Sequence, residues 1–186
     1  MAKFQKPICY NSTVTLFDIV KPGPFLSENR KENFMTYAYN DGGRKAAGYK
    51  GTTGDCVCRA IAIAAELPYQ EVYDALAEGN ATQRRSKREM RKPRPSTGVR
   101  TARDGIFTKR KWFKDYMKAL GFEWTPTMTI GSGCTVHVQT DELPSGRLVL
   151  NLSRHLAAFI DGELQDTYDC SRGGTRCVYG YWRKVN

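Results

Sequence analysis

The strongest constraint on the fold is a β-hairpin signal late in the chain, where Asp161-Gly162 joins two strand-like segments. The first segment, 155–160, is apolar after its opening histidine, and the second, 163–168, is more polar. Asp-Gly is a strong two-residue turn signal because both residues tolerate the positive φ angles of a type I′ turn. A turn of this length also fixes the register of the two strands. The predicted pairs are Ile160 with Glu163, Ala158 with Gln165, and Ala157 with Asp166.

The other segments complete an α+β pattern. The runs 146–152 and 178–182 are typical of further strands. Helices are predicted over three segments in which apolar residues recur every three or four positions: 56–66, 68–78 and 109–120. Because helices come first and strands last, we expect N-terminal helices packed on a C-terminal antiparallel sheet, in a single domain that spans residues 1–186.

The ends of two helices are marked by residue type. Asp55 is a suitable N-cap for the first helix, in which Val57, Ala60, Ile61 and Ala64 form a buried stripe. Thr108 is the expected N-cap of the third helix, and Gly121 its expected end. The first fifty residues show little periodicity and predict an irregular N-terminal extension of short strands and loops.

The segment 79–105 concentrates the positive charge of the chain. It holds nine Lys or Arg residues and two Asp or Glu, so it carries +7 of the formal net charge of +10. With Pro93 and Pro95, this composition predicts an exposed basic insertion loop. Its first part could bind anions through six residues: Arg84, Arg85, Lys87, Arg88, Arg91 and Lys92.

The N-terminus and the cysteines indicate the cellular compartment and the kind of site that the chain could form. The chain begins without a signal-peptide pattern, and no apolar run is long enough to span a bilayer, which predicts a cytoplasmic protein with no membrane span. In a reducing compartment the six cysteines should be free thiols. The spacings Cys56-x-Cys58 and Cys170-x6-Cys177 do not fit the paired spacing of zinc sites. We therefore expect no metal and no cofactor.

Cys56 is the candidate nucleophile. A cysteine in the first turn of a helix faces unpaired backbone N–H groups and the positive end of the helix dipole, and both favour the thiolate. A buried structural thiol is the alternative, because free cysteines are often buried. Cys58 lies roughly 200° further round the helix, so only one of the two can face a given cleft.

His155 is the candidate base, and Asp166 is the carboxylate that would orient it. His155 opens the first hairpin strand, and the predicted register places Asp166 diagonally across from it on the same sheet face. A carboxylate in this position would hold the imidazole in the tautomer that catalysis needs. Asp169 projects to the other face and ranks second, while Asp161 is used by the turn.

This chain order resembles that of the papain-like cysteine peptidases: a cysteine opens an early buried helix, a histidine opens a late strand, and an acid follows on the next strand. Asp55-Cys56 is similar to the Asp-Cys pair of the bacterial cell-wall endopeptidase and bacteriocin-leader peptidase branches. The stretches 41–56 and 169–182 also resemble uncharacterised proteins of proteobacteria and their phages. The resemblance implies a papain-like fold and a Cys56–His155–Asp166 triad.

The function implied is a thiol-dependent hydrolase that acts on a peptide, isopeptide or other amide. The family pattern has a Gln shortly before the cysteine, but residues 45–55 contain none, so Lys50, Thr52, Thr53 or the Cys56 backbone N–H would have to stabilise the oxyanion. Two alternatives stay open. One is a non-enzymatic papain-like binding protein, a phage-type factor that docks an acidic host protein. The other is nucleic-acid binding through 84–103, which the lack of aromatic residues there disfavours.

Overall fold

The structure, a computed structural model, describes residues 35–51, 54–83 and 100–185, all within one compact unit. These residues form three α-helices and six β-strands. The helices are α1 (Cys56–Ala65), α2 (Tyr69–Thr82) and α3 (Lys111–Ala119). The strands are β1 (Thr36–Tyr39), β2 (Phe122–Pro126), β3 (Arg147–Leu152), β4 (His155–Ile160), β5 (Glu163–Asp166) and β6 (Gly180–Lys184).

The six strands form one mixed sheet in the order β1-β5-β4-β3-β6-β2. The predicted hairpin is confirmed, since Ile160 lies opposite Glu163 and Ala158 opposite Gln165. Its turn residues Asp161 and Gly162 have φ angles of 48° and 92°, as a type I′ turn requires. The α+β prediction is confirmed as well.

The expectation of an antiparallel sheet is wrong at one edge. Strand β1 pairs with β5 in parallel, with Thr36 opposite Glu163 and Tyr39 opposite Asp166. All other neighbouring strands are antiparallel. A parallel neighbour needs a long connection between the strands, and here all three helices lie between β1 and β5 along the chain. The local pattern of 36–39 therefore gave no sign of this pairing.

Helix α1 lies against the middle of the sheet and is fixed at its C-terminal end. Residues 57–64 are all buried, which confirms the predicted stripe and extends it around the helix. Arg147 of β3 donates to the carbonyl oxygens of Ala64 and Ile63 at 2.8 and 2.5 Å. Carbonyls in the last turn of a helix lack their regular intrahelical partners, and here Ile63 otherwise accepts only a long bond of 3.4 Å from the Glu66 N–H. The guanidinium therefore satisfies both carbonyls, and its positive charge interacts favourably with the negative end of the helix dipole.

Two helix boundaries differ from the predictions. Helix α2 continues to Thr82, four residues past the predicted end, and so includes the start of the predicted 79–105 loop. There, Asn80 donates to the Thr101 carbonyl at 2.9 Å, a tertiary contact that holds the last turn. Helix α3 begins at Lys111 and not directly after Thr108. Strand β2, mostly exposed at the sheet edge, was not predicted.

Several predictions fall outside the described residues. They include most of the predicted N-terminal extension, residues 1–34, and the basic residues 84–99. The candidate anion-binding residues Arg84, Arg85, Lys87, Arg88, Arg91 and Lys92 belong to that second stretch.

The core is divided by the sheet into two clusters. The helices pack on one face, where Ile61, Val72 and Phe113 meet Val149 and Ala158. On the other face, Leu148 and Phe159 are covered by residues from 138–143 and 170–178. Within the described ranges, no helix is both long and apolar enough to cross a membrane.

A disulfide joins Cys134 to Cys177, with their Cα atoms 5.8 Å apart. The prediction of free thiols is wrong for this pair. Antiparallel pairing brings the two segments side by side, since the Val138 N–H donates to the Arg176 carbonyl and the Val178 N–H to the Val136 carbonyl. This pairing brings the Cα atoms within the span of a disulfide, which sequence spacing could not reveal. Cys56, Cys58 and Cys170 are free.

Candidate active site

His155 and Asp166 meet at the open end of the β4–β5 hairpin. His155 begins β4 and Asp166 ends β5, so the hairpin register makes them neighbours. The imidazole Nε2 is hydrogen-bonded to Asp166 Oδ2, and both side chains are buried. Burial alone would raise the pKa of Asp166, but its hydrogen bond with His155 holds the pKa below the usual value. The pair therefore favours imidazolium beside carboxylate.

The thiol of Cys56 completes the series. Cys56 lines the same cleft as His155 and Leu156, and the His155 side chain and the Leu156 backbone N–H both act to lower the pKa of its thiol. Burial disfavours the thiolate, yet these groups and the nearby positive charges outweigh it, so the pKa of Cys56 lies below its ordinary value. Burial likewise opposes the charging of His155, but Asp166, Cys170 and Cys56 raise its pKa. Both shifts act in the direction of a thiolate–imidazolium pair.

Cys58 does not share this environment. It is fully buried, and its Sγ lies 3.6 Å from the Tyr69 carbonyl oxygen. Burial and the charge of Asp55 raise the pKa of the Cys58 thiol to about 12. Cys58 is therefore an unreactive core thiol, and Cys56 is the cysteine of α1 that borders a cleft.

Arg59 ties the helix to the hairpin through two carboxylates. Its guanidinium donates to Asp55 Oδ1 at 2.5 Å and to Asp166 Oδ1 at 3.2 Å, and its side chain is only 3% exposed. Asp166 is therefore held by His155 on one oxygen and by Arg59 on the other. The Arg59 charge also lowers the pKa of Cys56.

Asp55 continues the same network of charged side chains to Arg44 and Tyr69. Its Oδ2 accepts from Arg44 Nε at 2.8 Å and from the Tyr69 hydroxyl at 2.5 Å. Burial would raise the pKa of Asp55, but these bonds lower it. Asp55 occupies the N-cap position of α1 without a side-chain capping bond, so the predicted capping role is wrong. Its carboxylate balances Arg44 and Arg59 instead.

The resulting network alternates positive and negative side chains from the 41–48 turn to the thiol. In order, the groups are Arg44, Asp55, Arg59, Asp166, His155 and Cys56. Each buried charge has an opposite neighbour, which is the condition under which buried ions are tolerated. The network also fixes the first turn of α1 relative to β4 and β5.

Cys170 lies beside the same imidazole. His155, Asp166 and Cys170 each offer a ligand atom within 4.8 Å of the others, and no other such set occurs among the described residues. The imidazole Nε2 and both oxygens of Asp166 already bind one another or Arg59. The guanidinium next to the carboxylate would also repel a cation. This arrangement suits a proton-transfer pair better than a metal centre.

Other residues considered from the sequence lie elsewhere. Asp169 is exposed and accepts from the Ser171 N–H at 2.8 Å. Asp161 serves the turn, as predicted, and its side chain accepts from the N–H of Gly146, which precedes β3. His137 pairs with Glu142 at 3.1 Å. Lys50 is exposed, its carbonyl accepts from Arg44, and it is absent from the described lining of the Cys56 cleft. Thr52 and Thr53 lie outside the described residues.

An open cleft of about 910 Å³ gives access to Cys56 and His155. One side is formed by residues 105–109, and just before them Arg103 approaches Gly54, two residues before α1. A Cβ atom at position 54 would lie 2.6 Å from the Arg103 carbonyl oxygen, so glycine is required there. The opposite elements supply Trp124, Met128, Ile130 and Tyr179. The volume is sufficient for a peptide-sized ligand.

Sequence reasoning did not find Arg59, Arg44 or Cys170. Arg59 carried a usable signal, because it is the only charged residue within an otherwise apolar helix and lies four residues after Asp55. Arg44 and Cys170 are brought to the site by tertiary structure and had no local signal. No protein-family model, curated protein or solved structure matches this chain.

Proposed function

We propose that the protein is a thiol-dependent acyl hydrolase of the papain-like type, acting on peptide, isopeptide or other amide bonds. The observation that carries this proposal is the hydrogen-bonded pair His155–Asp166 beside an open cleft that Cys56 and His155 both line. The order of these residues along the chain supports the papain-like assignment.

In the acylation step, the Cys56 thiolate attacks the carbonyl carbon, and a C–S bond forms. The carbonyl π electrons move to oxygen, giving a tetrahedral oxyanion. When the oxyanion collapses, the C–N bond breaks, and the imidazolium of His155 gives its proton to the leaving amine. The products are a thioester on Cys56 and a neutral His155.

In the deacylation step, neutral His155 takes a proton from water while the water oxygen attacks the thioester carbon. Collapse then breaks the C–S bond and returns Cys56 as thiolate beside imidazolium. An amine in place of water would give transfer instead of hydrolysis. Asp166 keeps the imidazole oriented throughout and stabilises its charged form.

The oxyanion needs hydrogen-bond donors. The first-turn N–H groups of α1 have no acceptor within the helix, and the first of them belongs to Cys56 itself, the residue that attacks the carbonyl carbon. Since no Gln occurs in residues 45–55, this backbone donor and the dipole of α1 carry the role.

The test is acyl transfer from p-nitrophenyl acetate. We expect a burst of p-nitrophenolate and an acetyl group on the Cys56 peptide, detected by mass spectrometry. Cys56→Ser should remove both, and His155→Ala should slow acylation by about 10²–10⁴-fold. Cys58→Ala, a folded control, should keep the burst. Acetylation of other cysteines at the same rate as Cys56 would contradict the proposal.

A further inference from the structure

The exposed hydrophobic side chains of this protein are concentrated around the cleft. Among the described residues, nine large hydrophobic side chains are substantially exposed, and five of them line this one cleft. They are Trp124, Met128, Ile130, Tyr168 and Tyr179. Ile130 is fully exposed. Exposed apolar side chains gathered around a cavity are typical of a ligand-binding surface.

The charges of the same cleft have one sign. Apart from His155, its cationic lining residues are Arg59, Lys109 and Arg154, and no Asp or Glu is found in the lining that the structure describes. Arg59 is already paired with Asp55 and Asp166. Neither Lys109 nor Arg154 is in an ion pair with another described residue. A negative group on a ligand would therefore find two cations and no opposing carboxylate.

The position of Arg154 relates this charge to the reacting groups. Arg154 occupies the β3–β4 turn with a φ angle of 56°, and it directly precedes His155. The paired ends of the two strands, Leu152 opposite His155, fix this two-residue turn. The backbone of Arg154 is therefore held next to His155, and Arg154 lines the same cleft as Cys56.

We propose that this cleft selects peptide-like acyl groups that combine a large apolar side chain with a nearby carboxylate. The apolar side chain packs against the wall formed by Trp124, Met128, Ile130 and the two tyrosines. The carboxylate pairs with Lys109 and Arg154. This selectivity rests on the proposed function, in which the carbonyl carbon of the residue that bears the apolar side chain meets Cys56.

The first arm measures binding without catalysis. The Cys56→Ala variant is titrated by NMR with three amides: N-succinyl-phenylalaninamide, N-acetyl-phenylalaninamide and N-acetyl-glycinamide. We expect the succinyl compound to bind about two- to fivefold more tightly than its acetyl counterpart, the effect of a partly exposed ion pair. We expect phenylalanine to be favoured over glycine by roughly tenfold or more.

Variants assign each preference to its residues. In the same background, Lys109→Gln with Arg154→Gln should bring the succinyl-to-acetyl ratio towards one. Ile130→Ser should reduce the preference for phenylalanine over glycine. Lys114→Gln removes an exposed positive charge from α3 outside the described cleft lining and should change neither ratio. Equal binding of the three amides, or a charge preference that survives loss of both cations, would overturn the proposal.

The second arm separates this proposal from the proposed function. Wild-type protein is assayed with the p-nitrophenyl esters of the same three acyl groups, with p-nitrophenyl acetate as the reference. If the amides bind in the expected order but no ester is turned over, the selectivity stands and the hydrolase function fails. If p-nitrophenyl acetate acylates Cys56 but neither arm shows a preference, the function stands and the selectivity fails.

Discussion

At the scale of single residues, Arg59 links the charges around Cys56 to the rest of the protein. It is the cation between Asp55 and Asp166, and it lies one helical turn beyond the thiol. Removing it would leave two buried carboxylates with one partner fewer each, which is costly. Arg59 is thus a positioning residue, which acts on the thiol through Asp166 and through its own charge.

Arg59→Met should raise the pH at which Cys56 becomes reactive, because the charge of Arg59 lowers the pKa of this thiol. The midpoint of the alkylation rate against pH, measured for Cys56, should move upward. Arg59→Lys should restore part of the shift, since it keeps the charge but not the two-carboxylate geometry. A purely structural role would lower the melting temperature of both variants and leave the midpoint unchanged.

The site was partly predictable at this scale because the positions of Cys56 and of the His155–Asp166 pair follow from local sequence patterns. Cys56 begins a helix with a clear apolar pattern, and the Asp161-Gly162 turn determines that Asp166 reaches His155. Arg44 depends on the 41–48 turn folding back on α1, and nothing in its neighbours along the chain indicates this contact. Asp55 shows the limit of a local rule. It is a favourable N-cap residue by type, but its carboxylate forms a buried ion pair with Arg44 in place of a capping bond.

At the scale of elements, the packing of α2 on α3 depends on a glycine. A Cβ atom at Gly79 of α2 would lie 2.3 Å from Cε3 of Trp112 on α3. Trp112 is also held by its indole N–H, which donates to Gln83 at 3.1 Å. The ring therefore occupies the space that a side chain at position 79 would need.

Gly79→Ala should destabilise the protein by about 1–3 kcal/mol, because overpacking outweighs the better helix propensity of alanine. The measurement is the free energy of unfolding in denaturant. In a Trp112→Ala background the sign should reverse, and the same substitution should stabilise by roughly 0.5–1 kcal/mol. If Gly79→Ala stabilised the protein with Trp112 present, this description of the helix contact would be incorrect.

Elements with strong local patterns were predicted, and elements that depend on distant partners were not. Strands β3 and β4 are apolar runs beside a clear turn signal, and α1 has an unambiguous apolar stripe. Strand β1 has only four residues and pairs in parallel with a strand more than a hundred residues away, and exposed β2 is a strand only because it pairs with β6. Helix α2 continues through Gly79 because Asn80 is bonded to Thr101.

At the scale of the whole molecule, the Cys134–Cys177 disulfide closes a long loop. The two cysteines are separated by 43 positions, and the enclosed chain includes strands β3, β4 and β5. A cross-link of this kind restricts the unfolded chain and so stabilises the folded one. The cysteine count alone could not indicate it, because no feature of the sequence points to an oxidising compartment.

Reduction of this disulfide should lower the stability by roughly 2–4 kcal/mol. The melting temperature of the wild type should therefore fall when a phosphine reductant is added. Cys134→Ala with Cys177→Ala should begin at the lower value and not respond further to reductant. An unchanged melting temperature of the wild type in reductant would show that the cross-link contributes nothing to stability.

The most direct measurement of the thiolate–imidazolium pair is site-resolved alkylation of the folded protein. Limiting iodoacetamide is applied between about pH 5 and pH 9, where an ordinary thiol ionises only at the upper end. Modified cysteines are then identified by mass spectrometry, beside a His155→Ala variant. Because the pKa of Cys56 is lowered and that of Cys58 is raised, Cys56 should react far ahead of the other free cysteines at low pH and lose that lead without His155. A Cys56 that reacts no faster than Cys58 or Cys170, or whose rate is indifferent to His155, would contradict the pair and the hydrolase function built on it.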